Sequence, residues 1–359
     1  MTMDQQLQSL LDYQGDKVLS VYLDTDLANQ SKEAVRLTFR RRAAELEQAA
    51  PEEVGAVQRF LDFEYDWQSR GVAIFASGDD LWEVIPLPIP PRTRVTYTAR
   101  PHVRMLTDIG DRLGKYDVAV LDRERLRLFS VAWGKIQSET EAVGEELKRH
   151  KQGGWSATIY QRREDNLAVR NLRQAIEVMQ QFTERTGNRR LMLGGSPEAL
   201  AQVRELMPKP LLEQIIGEFV VDVGAKPNEI LGLSLDLAQE VDLANERDLV
   251  EQAIAEAAKG GYGVTGLTDT LFALHQGQVR LLLVDESYHV SGFLCRDCGS
   301  ALTERRDQCP LCRGKHLEET HDVVNVSIHK AAETGAEVNI VRENAELLRV
   351  GGIAALTRY

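Results

Sequence analysis

Cysteine is missing from the first 294 residues of this 359-residue chain, and all four cysteines fall between Cys295 and Cys312. A secreted disulfide framework spreads its thiols through small domains, so this distribution excludes one and leaves a single cluster with a single job. Long apolar runs are also missing: no stretch approaches the ~18 to 20 residues that span a bilayer. The N-terminus, MTMDQQLQSLLDYQGDK, has no cationic start followed by an apolar core. Cytosol is therefore the expected compartment. Positive charge is scarce as well, with 43 Lys and Arg against 55 Asp and Glu for a net −12, which argues against indiscriminate binding to polyanions.

One stretch nevertheless carries a local excess of positive charge. The segment KRHKQGGWSATIYQRRED, Lys148 to Asp165, joins two cationic runs through a Gly-Gly-Trp, and Lys148 to Arg173 holds seven Lys or Arg against two acids. Such a tip can face phosphates while the acidic remainder limits stray contacts. Gly153 and Gly154 permit backbone angles closed to other residues, so the loop can turn its amides outward or approach another backbone closely. Trp155 offers a ring that stacks on a base and an N–H that only donates. A solvated turn is the bland alternative.

Length and pattern together predict three domains, 1–110, 111–238 and 239–359. The first opens with the alternating strand VLSVYLD, followed by a helix from Ser31 to about Glu47. GVAIFAS is a buried strand, and four prolines from Pro86 to Pro91 mark an edge or an extended connector. On that helix Lys32, Arg36 and Arg40 recur every fourth residue beside Val35 and Phe39. A solvated face is the simpler reading of the three charges, and RNA contact the functional one.

In the second block YDVAVLD and RLRLFSVAWG read as a β-hairpin, followed by the cationic loop, a helix from about Glu164 to Arg185, and the strands RLMLGGS and EFVVDV in parallel pairing. A helical stretch from about Glu229 to Lys259 leads into the third block. There GVTGLTDTLFALHQG reads as a helix, VRLLLVDE as a strand, VVNVSIHKAAETG as a helix and EVNIV as a strand, with the cysteines as an insertion. The expected fold class is α/β throughout.

Cys295-x2-Cys298 and Cys309-x2-Cys312 have the spacing of two metal knuckles. Four thiolates suit tetrahedral Zn²⁺ and leave no open position for water, which predicts a structural site with His316 and His321 spare. A redox dithiol is the rival reading, and two knuckles ten residues apart favour zinc over it.

These residues, in this order, resemble the archaeal and eukaryotic class-1 peptide release factors and their paralogue Pelota, in the bacterial branch of that superfamily. KRHKQGGWSATIYQRRED resembles the family's Gly-Gly-Gln loop and its run into a helix, with Trp155 where the glutamine stands. LMLGGSPE and GVTGLTDTLFALHQGQVRLLLV resemble the strand and turn after that helix and the start of the C-terminal domain. The cysteines resemble the zinc insertion of archaeal members, and GGIAALTRY their ending.

The resemblance implies a three-domain protein with a zinc-ribbon insertion in its C-terminal α/β domain. It implies entry into the ribosomal A site, with the N-terminal domain at the decoding centre and the middle domain at the peptidyl-transferase centre. Large-subunit rRNA and P-site tRNA would then be partners, and a translational GTPase such as elongation factor Tu an escort. On that reading Gly153, Gly154 and Trp155 form the catalytic loop, while Lys148, Arg149, His150, Lys151, Arg162 and Arg163 contact RNA, as do Lys32, Arg36 and Arg40.

Two departures qualify these expectations. The first 110 residues contain neither the Asn-Ile-Lys-Ser nor the Tyr-x-Cys-x-x-x-Phe motif with which family members read stop codons. The indole of Trp155 supplies no carbonyl oxygen to hold a water. Two functions follow from this: codon-independent ribosome rescue by peptidyl-tRNA hydrolysis, or non-catalytic occupancy of stalled or hibernating ribosomes in the manner of Pelota or Balon. A small-RNA binder that kept the fold and lost the ribosome ranks below both.

Overall fold

The computed structural model describes residues 2–143, 155–342 and 344–359, with 155–165 described by backbone alone. Two compact units emerge, one made of residues 1–111 with 245–359 and the other of residues 112–244.

The chain begins with α1 (Met3–Asp12), whose first turn is closed by reciprocal hydrogen bonds between Thr2 and Gln5. β1 (Val18–Asp24) is buried nearly end to end, because it lies inside an antiparallel sheet. α2 (Lys32–Ala43), capped by Ser31, and α3 (Pro51–Arg59), with proline in its first turn, cover that sheet. β2 (Gly71–Ser77), β3 (Leu81–Leu87) and β4 (Arg94–Thr98) complete it in the order β3-β2-β1-β4. Val35 and Phe39 of α2 and Val54 and Val57 of α3 share its core with Leu19, Val21, Leu23 and Ile74. Pro86 sits in the edge strand β3, where a missing N–H is tolerated. α4 (Arg104–Leu113) leads out.

β5 (Lys115–Leu121) and β6 (Arg125–Ala132) form the expected hairpin, to which the structure adds β7 (Lys135–Val143). KIQSETEAV has few apolar residues because β7 is a mostly exposed edge strand, and this is why pattern reading passed over it. α5 (Trp155–Thr186) starts nine residues before the Glu164 read from sequence. Nothing from Trp155 onward breaks a helix, and the cationic Arg162 and Arg163 are good helix formers.

β8 (Leu191–Gly195), α6 (Pro197–Leu206), α7 (Lys209–Leu212), β9 (Ile215–Val220) and α8 (Pro227–Ala258) follow. The sheet runs β7-β6-β5-β8-β9, and β5/β8 and β8/β9 are parallel, as the strand and helix alternation predicts. β9 begins at Ile215 and not at Glu218, since IIG extends the pairing with β8. Leu172, Ile176, Met179 and Phe182 of α5 cover one face of the sheet. Ile230 and Ala238 of α8 cover the other. The boundary between the units falls inside α8, after Ala244.

The C-terminal part contains β10 (Gly263–Thr265), α9 (Leu267–His275), β11 (Val279–Asp285), β12 (Gly292–Cys295), β13 (Ala301–Leu302), β14 (Leu317–Thr320), α10 (Val323–Glu333), β15 (Glu337–Val341), α11 (Ala345–Arg349) and β16 (Ile353–Thr357). GVTGLTDTLFALHQG, read as one helix, is a strand and a helix. Gly266, at φ +79°, turns the chain between them and lets β10 pair with β16. The main sheet is β10-β16-β11-β15, and the cysteine insertion builds its own small sheet, β13-β12-β14.

Candidate functional site

In the chain the cationic segment follows β7 and runs into α5. β7 is paired with β6 up to Val143 opposite Arg125. α5 begins at Trp155 and, at about 1.5 Å per residue, its 32 residues extend about 48 Å. Ala168, Leu172, Ile176, Met179 and Phe182 bury one stripe of the helix, and the Asn171 side-chain amide donates to the Arg123 carbonyl at 3.1 Å. Lys148, Arg149, His150, Lys151, Gly153 and Gly154 lie outside the described residues. Trp155, Arg162 and Arg163 are placed by backbone in the first turns of α5.

The structure brings Lys32, Arg36 and Arg40 to one face of α2 and ties them into the fold. The Arg36 guanidinium donates to the Leu61 carbonyl and the Asp62 carbonyl, each at 3.1 Å, and pairs with the Asp62 carboxylate at 3.1 Å. Arg40 reaches the same carboxylate at 3.2 Å. Lys32 and Arg36 also lie over the Trp67 ring, 5.6 and 5.2 Å from its centroid. Trp67 holds a left-handed backbone, φ +61°, which is strained for so bulky a residue and needs such support. Between them the cations brace the turn Phe60–Glu64, from which Phe63 projects 85% exposed.

The four cysteines do converge. Their sulfurs all lie within 4.8 Å of one another, with Cys295 to Cys312 at 3.6 Å and Cys298 to Cys309 at 3.9 Å. Four thiolates around one ion at ~2.3 Å would stand about 3.8 Å apart, so the set can hold a tetrahedral metal such as zinc. The two knuckles share one geometry. In the first, the Gly299 amide donates to the Cys295 carbonyl at 2.8 Å with Gly299 left-handed; in the second, the Arg313 amide donates to the Cys309 carbonyl at 2.8 Å with Arg313 left-handed. The Gly314 amide points at the Cys312 sulfur, 3.3 Å away. Burial pushes the Cys295 thiol up to about 12, so a thiolate there needs a cation beside it. His316 is turned to Asp297, Nδ1 to carboxylate at 2.8 Å, and stays outside the sulfur cluster.

One buried polar seam gave no readable signal in the sequence. It lies within the first unit, where residues 99–104 meet the C-terminal part. His102 Nε2 contacts the Asp322 carboxylate at 3.1 Å, and Arg104 donates to the carbonyls of Asp285, Glu286 and Tyr288 at 2.7 to 2.8 Å. Asn325 Oδ1 accepts from the amides of Val103 and Arg104 at 3.0 and 3.3 Å. His329 lies between the carbonyls of Pro101 and Leu11.

Burial alone would raise the Asp322 carboxyl, but hydrogen bonds from His102 and His289 and the charge of Arg104 outweigh it and hold the group far below the usual carboxylate range. Burial also lowers His102, and it lowers His329 to about 4 despite the two carbonyls that favour its charged form. Isolated histidines separated by hundreds of residues carry no spacing pattern, which is why no motif search finds them.

Residues 101–239 match the family model described as Bacterial archaeo-eukaryotic release factor family 10. Peptide chain release factor subunit 1 of Archaeoglobus fulgidus is 24% identical over 270 residues, 68% of this chain and 65% of that protein. Eukaryotic peptide chain release factor subunit 1 of Cryptosporidium hominis is 25% identical over 250 residues, 67% of this chain and 56% of that protein. The chain thus spans less than two thirds of the length of these curated relatives, 65% of the first and 56% of the second. The crystal structure of Archaeoglobus fulgidus Pelota aligns over 100% of this chain and 92% of its own at 13% identity, with a TM-score of 0.36.

Proposed function

We propose that this chain is a bacterial relative of the archaeo-eukaryotic release factors, as the match of residues 101–239 and the 24% identity to an archaeal release factor support, and that it is a cytoplasmic translation factor that enters the ribosomal A site without reading a codon. The observation that supports this reading is the order of the chain: the cationic Gly-Gly pair follows the edge strand β7 and runs into Trp155 at the start of α5, within residues 101–239 that match the family model. A concentrated positive tip on an acidic body suits one deep RNA contact. Large-subunit rRNA and P-site tRNA are the partners this implies, and a translational GTPase such as elongation factor Tu the escort. Four cysteines at tetrahedral spacing support a structural zinc.

The activity proposed is ribosome rescue by peptidyl-tRNA hydrolysis. Water adds to the ester carbonyl carbon, and the bond to the tRNA ribose oxygen breaks with that oxygen taking a proton. Backbone amides at Gly153 and Gly154 are the donors available to the developing oxyanion. Trp155 favours a second reading, non-catalytic occupancy of stalled or hibernating ribosomes, because an indole N–H cannot accept a hydrogen bond from the attacking water. Stalled ribosomes carrying labelled peptidyl-tRNA separate the two. Rescue predicts peptide release that Gly154→Ala reduces by about tenfold or more, whereas occupancy predicts co-sedimentation with no release. A protein that neither binds nor releases contradicts both.

A further inference from the structure

We propose that the metal held by Cys295, Cys298, Cys309 and Cys312 locks residues 1–111 onto the C-terminal part of the same unit, through the segment 99–104. The inference rests on the reading of the cysteines as a zinc site and adds a consequence for the position of the N-terminal lobe. The first knuckle is built into the seam. Arg296, between Cys295 and Cys298, donates from Nη1 to the Ala99 carbonyl at 3.3 Å and from Nε to Glu318 at 2.9 Å. Glu318 also takes Lys17 of the N-terminal lobe at 2.8 Å.

Gly299 lies flush against the same segment: a Cβ there would stand 3.1 Å from Arg100 Nη2 and 3.2 Å from Glu333. Arg100 pairs with Glu333 at 2.7 Å, and Lys330, beside them, donates to the Cys298 carbonyl at 3.0 Å. Ala99 shares one apolar cluster with Leu294 and Ala301 of the insertion and with Val323 and Val326 of α10. The knuckle therefore touches the N-terminal lobe by hydrogen bond, by close packing and by apolar contact.

What keeps the knuckle in shape is small without an ion. The insertion's sheet has strands of four, two and four residues, and its core is little more than the cysteines with Leu302, Phe293 and Leu317. A domain of that size draws its folding energy from its metal. Metal loss then removes the surface on which Ala99 and Arg100 are seated, and the segment that carries His102, Val103 and Arg104 loses one side of its support. Metal supply would set how firmly residues 1–111 are held.

Hydrogen exchange of the full chain tests this, with and without removal of zinc by a chelator, after metal analysis of the purified protein. Stripping is expected to speed exchange about tenfold or more in peptides covering 292–320 and also at Val103 and Arg104; β5 in the other unit should stay unchanged, and added zinc should restore protection. Arg296→Ala is expected to keep its zinc and still exchange faster at 99–104. Deprotection confined to 292–320 overturns the proposal, as does deprotection that reaches β5, which would make the dependence global. A protein that carries no zinc as purified overturns the metal reading itself, a result distinct from a zinc protein whose segment 99–104 ignores the chelator.

Discussion

On the proposed reading, Trp155 is the residue that separates chemistry from occupancy, because it stands where the resembled loop has glutamine. An amide side chain both donates and accepts; an indole only donates. Trp155→Gln is expected to raise peptide release from stalled ribosomes about tenfold or more if the surrounding donors are in place, measured by single-turnover release of labelled peptide. An unchanged rate would mean that the glutamine's role has moved elsewhere or that the loop does no chemistry. Arg36 poses the opposite case, a cation with a functional reading that the fold also uses. Its removal takes the guanidinium donor from the Leu61 and Asp62 carbonyls and leaves Lys32 as the remaining cation over Trp67. Arg36→Ala is expected to lower unfolding free energy by about 2 kcal/mol, and Arg36→Lys, which keeps charge but not the fork, to recover only part of it. Urea unfolding measures both.

At the scale of elements, the segment 99–104 and helix α10 form a seam whose stability depends on pH. His329 is buried and neutral, with its folded value near 4 against about 6.5 in the unfolded chain. Below pH 6.5 the unfolded chain takes a proton that the fold refuses, so stability falls until pH 4, by about 3 kcal/mol from this residue. His102 acts in the same direction. Asp322, held low, contributes stability above the ordinary carboxylate range that is lost as acid protonates it. Asp111, whose carboxyl burial pushes up to about 8, works in the opposite sense: its contribution is greatest below pH 4 and is lost as pH rises through 8. The difference between wild type and His329→Gln isolates one term. The variant is expected to lose less stability between pH 7.5 and 4.5, and parallel curves would contradict a neutral buried His329.

Elements also show what a single sequence reveals. β1, β2, β5, β6 and α10 were legible because elements buried over most of their length carry dense apolar runs. The four cysteines were legible because ligand spacing is a local property. β7 was not, since an exposed edge strand needs no apolar period, and the seam around His102 was not, since its partners lie more than 200 residues away. The long α8 hid the passage from one unit to the other, because a continuous helix carries no break at Ala244.

For the whole molecule, the net charge is −12 while Lys148 to Arg173 holds seven Lys or Arg against two acids, and among the described residues no helix is long and apolar enough to cross a membrane. If that segment is the contact with rRNA, binding to ribosomes weakens steeply with salt, since each released counterion adds to the slope. Replacing Lys148, Arg149 and Lys151 together by Ala is expected to flatten the salt dependence of co-sedimentation and weaken binding about tenfold or more at moderate salt. An unchanged slope would assign binding to another surface. Cryo-EM of the full chain on ribosomes bearing P-site peptidyl-tRNA is the decisive experiment for A-site entry. The protein is expected in the A site with Gly153, Gly154 and Trp155 at the peptidyl-transferase centre; a chain bound elsewhere, or with this segment turned away from the tRNA end, would refute A-site action through this loop.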